Sequence, residues 1–340
     1  MNLSGRPLLD NPADQAEFVG REAQLQRIER SLRTGLNCLV VGDPGSGKTS
    51  FTRALMFRVH QKADDLRFVY VRGLAARNAT DLLQAVLTVM SPDAARPAGR
   101  GTDAAPIDLV DRLLTAIGDG PAQPTVIVVD DVLAEAGLDL FGALRDELWR
   151  VDARWLVTAS TAQAPALLRP PADAFFETQV RLEPFSTAEI DQALRRRLVE
   201  FDGARGEAAR EAMLAAAVQA GPLTPRRMLE VARELAAAPT VGALGLTTVQ
   251  GLREWTGALE AMSRPARMLA QELESLGWVS ASDERLLDRM GWTRPRVVQV
   301  IGELERGGLV QMREENTGRG RPRKLFRLVP AAEFSRSDRQ

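Results

Sequence analysis

Apolar positions recur along this chain with two different periods, and the balance between them shifts near residue 183. After Phe18-Val19-Gly20-Arg21-Glu22, the spacing of Leu25, Ile28 and Leu32 predicts a helix within 18–35. Leu36–Val41 is a short continuous apolar run, the pattern of a strand buried on both faces. A helix is expected from Thr49 to about His60, a strand over Arg67–Val71, and a helix over Asp81–Met90 with Thr80 as N-cap. Further helices are expected over Ile107–Ile117 and Leu138–Val151, and further strands over Thr125–Val129, Arg154–Ser160 and Gln179–Leu182. Short apolar strands alternating with helices predict a parallel sheet with crossover helices. Ser91–Pro106, rich in Ala, Pro, Gly and Asp and without apolar periodicity, reads as a flexible surface loop.

Beyond Leu182 the strands stop. Ser186-Thr187-Ala188-Glu189 is a capping box that opens a helix to about Phe201, and two more helices follow over about Glu207–Ala220 and Pro225–Ala237. Ala238–Leu246 is a candidate hinge, after which a helical unit begins near Trp255 and ends in a β-hairpin over Leu309–Leu328. The expected organisation is an α/β core over 1–182, a helical lid over 183–240, a linker over 241–256, a third unit over 257–331 and a disordered tail over 332–340.

Composition narrows the class. The chain has 340 residues, 45% hydrophobic and 26% charged, with a formal net charge of −1. That is an ordinary globular balance, so a nucleic-acid surface has to be local rather than global. One cysteine, Cys38, excludes an internal disulfide and a cysteine-built zinc site, and fits a reducing compartment. The first 18 residues carry no apolar run, and no stretch of about 18 apolar residues occurs, so neither a signal peptide nor a membrane span is expected and a cytoplasmic placement is. His60, the single histidine, reads as a surface or half-buried side chain.

Between the first strand and the following helix lies Gly42-Asp43-Pro44-Gly45-Ser46-Gly47-Lys48-Thr49. A strand, then Gly-x₄-Gly-Lys-Thr, then a helix is the context of a phosphate-binding loop. Glycines let backbone N–H groups turn inward around phosphate oxygens, and the helix N-terminus adds its positive dipole end. Asp43, Pro44, Gly45, Ser46, Gly47, Lys48, Thr49 and Ser50 are the expected contacts to ATP or ADP. Lys48 would reach the β- and γ-phosphates and the Thr49 hydroxyl would ligate Mg²⁺, a hard cation that takes oxygen. The apolar run Val126–Val129 ends in Asp130-Asp131, an acidic pair at a strand end. Asp130 would hold the Mg²⁺ through its water shell and Asp131 would orient or deprotonate the attacking water.

Over about residues 18–237 the order of these motifs resembles the AAA+/STAND superfamily, and within it the origin-recognition (ORC-type) initiator ATPases and their bacterial relatives. Phe18–Glu22 looks like the box that precedes the first strand in that group; the resemblance places the backbone of Val19, Gly20 and Arg21 near the adenine. Trp155–Ser160 sits where the sensor 1 strand belongs, with Ser160 as the matched catalytic polar residue and Thr158 as the alternative. Gly221-Pro222-Leu223-Thr224-Pro225-Arg226 resembles the sensor 2 segment, which would bring Arg226, or its neighbour Arg227, to the γ-phosphate. Most members carry Asp-Glu where this chain has Asp130-Asp131, one methylene shorter, so slow hydrolysis or a binding switch is expected. Ala172–Thr178 has no arginine where ring-forming members place an arginine finger, and Arg169 lies further upstream. That favours a switch over a ring motor.

From Ser263 on, the pattern resembles a winged helix-turn-helix: helices over about Pro265–Leu276 and Asp283–Met290, then Thr293 as N-cap of a third helix with Val297, Ile301 and Leu304 facing inward. Thr293, Arg294, Arg296 and Gln299 lie off that stripe and suit base edges and phosphates of duplex DNA. The wing tip Thr317–Lys324 supplies Arg319, Arg321, Arg323 and Lys324, and residues 313–327 hold six basic against two acidic side chains. Residues 257–340 hold 15 Lys and Arg against 12 Asp and Glu, where the remainder holds 29 against 33. Aromatic residues are scarce there, which favours duplex over single-strand binding. Three functions fit: an ATP-switched duplex-DNA-binding protein of initiator or loader type, a STAND-type signalling or defence regulator whose winged helix docks a protein, and a helper ATPase for transposition. A homo-oligomer is compatible with each.

Overall fold

The computed structural model describes residues 3–62, 66–90, 105–118, 123–198, 214–215, 217–218, 222–237, 254–255, 257–315, 323–330 and 334. The chain divides into two compact units, one of Pro7–Gly42 and Gly47–Leu182, the other of Met1–Arg6, Asp43–Ser46 and Glu183–Gln340.

The first unit is built on five parallel strands, β1 (Cys38–Gly42), β2 (Arg67–Arg72), β3 (Thr125–Asp130), β4 (Ala153–Ala159) and β5 (Thr178–Leu182), in the order β2-β3-β4-β1-β5. Side chains alternate across this sheet. Leu39, Ile127, Val129 and Val157 enter one apolar cluster, and Cys38, Val40, Val126, Val128 and Leu156 enter the other. Every residue of β1 and β3 is buried, as expected for parallel strands covered on both faces. The helices that cover them are α1 (Pro12–Ala16), α2 (Glu22–Arg33), α3 (Lys48–Lys62), α4 (Ala79–Met90), α5 (Pro106–Gly118), α6 (Ala134–Leu138), α7 (Arg145–Leu148) and α8 (Ala164–Leu167). Leu25, Ile28 and Leu32 of α2 are all buried, as their spacing requires. β4 lies between β1 and β3, so the ends of the phosphate-loop strand and of the acidic strand flank the end of a third.

Two expectations fail for physical reasons. The single helix over Leu138–Val151 is instead α6, a π-type turn over Asp139–Ala143, and α7. Leu140, Phe141 and Gly142 are three consecutive buried residues, which one face of a regular helix cannot accommodate, and the wider turn brings all three inward. Phe141 there packs edge-on against Trp155 at 5.5 Å and beside Phe175 at 5.1 Å. Thr80 is not the cap of α4; Asn78 is, its Oδ1 accepting the Asp81 N–H at 2.9 Å. His60 packs edge-on against Phe68 at 5.6 Å. Burial pushes the Cys38 thiol up to about 12, which leaves it a core residue rather than a nucleophile.

The second unit opens with the capping box in place: Ser186 Oγ accepts the Glu189 N–H and Glu189 Oε2 accepts the Ser186 N–H, starting α9 (Thr187–Arg197). A bridge between Phe185 and Leu223 precedes α10 (Pro225–Ala237). Then come α11 (Arg264–Leu276), α12 (Glu284–Met290) and α13 (Arg294–Arg306), followed by the antiparallel pair β6 (Val310–Glu315) and β7 (Arg323–Leu328). Val279 bridges to Phe326, adding one residue of a third strand to the hairpin. Val297, Ile301 and Leu304 point inward with Val300. Thr293 occupies the N-cap position of α13 in extended backbone, but its side chain makes no cap hydrogen bond, so its capping role is not realised.

Several expectations fall outside the described residues: most of the Ser91–Pro106 loop and of the Glu207–Ala220 helix, Gly221, the Ala238–Leu246 hinge, Arg319, Arg321 and most of the tail. Among the described residues no helix is long and apolar enough to cross a membrane.

Candidate functional site

The phosphate loop follows β1 directly. Gly45 and Gly47 have φ of 82° and 91°, conformations that side-chain-bearing residues rarely adopt. Ser46 is buried and its hydroxyl has no protein partner. α3 begins at Lys48, whose Nζ donates to the Gly42 carbonyl at 3.1 Å and lies 3.6 Å from an Asp131 carboxylate oxygen. The Ser50 hydroxyl accepts the Leu8 N–H at 3.0 Å and is thereby engaged with the N-terminal segment.

Three hydroxyl donors, from α3, β2 and β4, surround Asp130, which is buried at the end of β3. Its Oδ2 accepts from Thr49 Oγ1 at 2.7 Å and from the Tyr70 hydroxyl at 2.7 Å, and its Oδ1 accepts from Thr158 Oγ1 at 2.8 Å. Thr158 Oγ1 in turn accepts the Asp131 N–H at 2.7 Å, which holds Asp131 at φ 61°. Asp131 therefore turns out of the strand line with its carboxylate toward Lys48. The polar residue of β4 that reaches the acidic pair is thus Thr158, the alternative of the sequence reading. Ser160 is buried and its hydroxyl accepts the Gln163 N–H at 3.3 Å, which fixes the turn after β4.

Among the described residues there is no cluster of three or more His, Cys, Asp or Glu. The adjacent Thr49 hydroxyl and Asp130 carboxylate are two hard oxygen donors. That set suits Mg²⁺, which keeps most of its positions for water and substrate phosphates. Gly20 and Arg21 both have positive φ, 68° and 64°, and turn the chain into α2 with Val19 and Arg21 buried.

In the second unit, the Arg226 backbone N–H donates to the Gly45 carbonyl at 3.2 Å. A Cβ at Gly45 would come within 2.8 Å of Arg226 Cβ, so glycine is required there by close approach as well as by φ. Arg227 turns elsewhere: its guanidinium stands 5.0 Å over the Trp255 ring and bonds Glu230 at 2.8 Å. The Trp255 indole N–H donates to the Val329 carbonyl at 2.8 Å, just past β7. Burial raises the Glu274 carboxyl on α11, and Glu230 adds to the rise while Arg227 and Arg226 oppose it. On α13, Thr293, Arg294, Arg296 and Gln299 are exposed, and Arg296 donates to Gln299 Oε1 at 2.8 Å. Arg323 and Lys324 are exposed on β7, with Arg323 donating to Ser280 Oγ at 2.6 Å.

Tyr70 was missed by the sequence reading, because a tyrosine in an apolar strand reads as core. The available signal was that it is the only tyrosine in the chain and sits near the end of the strand that precedes β3.

Residues 17–158 match the AAA ATPase domain family. No curated protein matches the chain in sequence. Among solved structures, the chain is similar to the Walker-type ATPase of Pyrococcus abyssi, with a TM-score of 0.53 at 14% identity, covering 98% of each chain. It is similar to the ORC1 protein of Aeropyrum pernix, solved in complex with DNA, with a TM-score of 0.51 at 17% identity, covering 96% of this chain and 93% of that one. It is also similar to the ORC2 protein of Aeropyrum pernix in its ADPNP-ADP complexes, with a TM-score of 0.50 at 17% identity over 93% and 90%. The fold of this chain is therefore the P-loop AAA+ fold of the ORC/Cdc6 initiator ATPases, with an AAA ATPase domain over residues 17–158.

Proposed function

We propose that the chain is an ATP-dependent DNA-binding switch. Lys48, Thr49, Asp130, Asp131 and Thr158 bind ATP with Mg²⁺ and hydrolyse it slowly. Arg226 senses the nucleotide, and the segment 257–331 is a winged helix that binds duplex DNA through Arg294, Arg296, Gln299, Arg319, Arg321, Arg323 and Lys324. Thr158 takes the polar sensor role on β4, because its hydroxyl touches both acidic residues and that of Ser160 does not.

The observation that carries the switch is a chain of contacts inside one unit. Gly45 of the phosphate loop meets Arg226, the adjacent Arg227 stands over Trp255, and Trp255 bonds the backbone that leaves β7. A change at the phosphate loop that moves α10 thereby reaches the hairpin through two contacts. DNA as the partner is supported by four exposed polar residues at the front of α13 and by the likeness of fold to a DNA-bound protein. Val298 on α13 and Met312 on β6 are exposed by 51% and 45%, and these apolar positions favour a second reading in which the same unit docks a protein.

The deciding experiment is fluorescence anisotropy on generic duplex DNA across a salt series, with ATP, ADP or no nucleotide. Affinity that weakens steeply with salt and differs between ATP and ADP supports the switch. Binding indifferent to nucleotide removes the coupling, and no binding at low salt removes DNA in favour of a protein partner.

A further inference from the structure

Among the described residues β2 is an edge strand, paired only with β3. On such a strand alternate side chains face one layer of helices, and Phe68 and Tyr70 pack on the cluster that contains Phe51 and Leu55 of α3. Position 70 sits opposite Val128, two residues before Asp130. From there the phenol reaches the Asp130 carboxylate at 2.7 Å, at the same oxygen that accepts the Thr49 hydroxyl. The ring is held as well: the Arg53 guanidinium lies 3.7 Å from its centroid. Arg53 is itself 3.7 Å from an Asp10 carboxylate oxygen. Thr49 and Arg53 are four residues apart on α3 and therefore share a face of that helix. One helix thus supplies both the hydroxyl that shares the carboxylate and the cation that fixes the ring.

The geometry points to Tyr70 as a positioning residue for the metal site: it locks the Asp130 carboxylate in the orientation that presents it, with the Thr49 hydroxyl, to Mg²⁺ bound to ATP. The inference rests on the ATP and Mg²⁺ reading of this site. Without the phenol, Oδ2 keeps only the Thr49 donor and the carboxylate gains rotational freedom, so an incoming cation meets a less ordered oxygen pair. Tyr70 touches neither nucleotide nor reacting atoms in this role. Its removal should leave the phosphate loop's own grip unchanged.

Tyr70→Phe keeps the ring under Arg53 and removes only the hydroxyl. The probe is a fluorescent N-methylanthraniloyl ATP analogue, bound first in EDTA and then titrated with MgCl₂. In EDTA the variant should bind within about twofold of wild type, while the half-saturating Mg²⁺ concentration rises about tenfold, the lower end of the effect of outer partners of metal ligands. Arg53→Gln, which frees the ring, should shift the Mg²⁺ titration in the same direction by less. An unchanged Mg²⁺ titration in Tyr70→Phe overturns the assignment. So does a loss of EDTA affinity equal to the loss with Mg²⁺, which would mark a general packing role. Wild-type binding that ignores Mg²⁺ altogether sinks the metal reading itself and this inference with it.

Discussion

The end of β3 and the front of α13 are both proposed to meet phosphate, and they are built in opposite ways. At β3 the charged group is buried, and each carboxylate oxygen of Asp130 already accepts from neutral hydroxyls contributed by three other elements. On α13 the charged groups are exposed, and Arg296 is ordered by its neighbour Gln299 and by the Trp292 ring 5.7 Å away. A buried carboxylate without donors would cost several kcal/mol, so this network serves the fold as well as the proposed chemistry. An exposed arginine carries no such penalty and is free to wait for its partner. The difference teaches that substitutions at the first region should act on chemistry and stability together. Substitutions at the second should act on binding alone.

The most severe way to test the first region is Lys48→Ala. Lys48 is held by the Gly42 carbonyl and faces Asp131, which positions it for the proposed contact with the β- and γ-phosphates. Turnover should fall about 10²–10³-fold, as for loss of one preorganised donor at a charged transition state. Steady-state phosphate release checks this, and turnover within tenfold of wild type breaks the reading of the site.

On the second region, Arg294→Ala with Arg296→Ala should weaken duplex binding by about two orders of magnitude, since each arginine on a base edge carries about 1–3 kcal/mol. The melting temperature should not move. Arg323→Ala, at a side chain already tied to Ser280, should lower the log–log salt slope by about 1 and act evenly across DNA sequences. Anisotropy on two unrelated duplexes separates these outcomes. A double variant that melts several degrees lower would show that these arginines are structural and would erase the contrast.

Trp255 carries the proposed coupling inside the second unit. Trp255→Leu removes the face under Arg227 and the donor to Val329. It should cost about 1–2 kcal/mol of stability, from one cation–π contact and one hydrogen bond. The ratio of DNA affinities with ATP and ADP should fall to near unity while ATP binding persists. A ratio that survives places the coupling elsewhere.

The same contrast explains what could be read from the amino acids. The phosphate loop was legible because its residues are contiguous and their order is dictated by the loop's own geometry. Asp130 was legible because an acidic pair ends an apolar strand. Tyr70 was not, and Thr158 stood only as the alternative to Ser160, because their roles arise from strand order: β2 and β4 become the two neighbours of β3 only when the sheet assembles. Thr158 is fully buried in an apolar strand, where a threonine also reads as a packed β-branched residue, so it ranked behind Ser160, which stands just past the strand end. The break in the helix over Leu138–Val151 was hidden for a similar reason, since it answers to the aromatic cluster of Phe141, Trp155 and Phe175, and a lone Gly142 does not by itself signal a break. Trp255 read only as the start of a helical unit. Its partners lie 28 and 74 residues away in sequence.

The smallest effect is expected at Asp131, and it separates geometry from reach. The residue sits at φ 61°, a conformation that aspartate tolerates better than longer side chains because its short carboxylate can bond locally. Asp131→Glu would lengthen the side chain toward Lys48 but keep the strained backbone. The substitution should cost about 0.5–1 kcal/mol, which is a fall of about 1–4 °C in melting temperature for a unit of this size. Turnover should change by less than about tenfold in either direction, because the gain in reach toward an attacking water is offset by the poorer fit of a longer side chain to a left-handed backbone that the Thr158 hydroxyl still holds. Calorimetric melting and single-turnover hydrolysis on the same preparation give both numbers. A variant that is as stable as wild type and markedly faster would show that reach alone limits this site, and that the left-handed turn at Asp131 is no constraint on its chemistry.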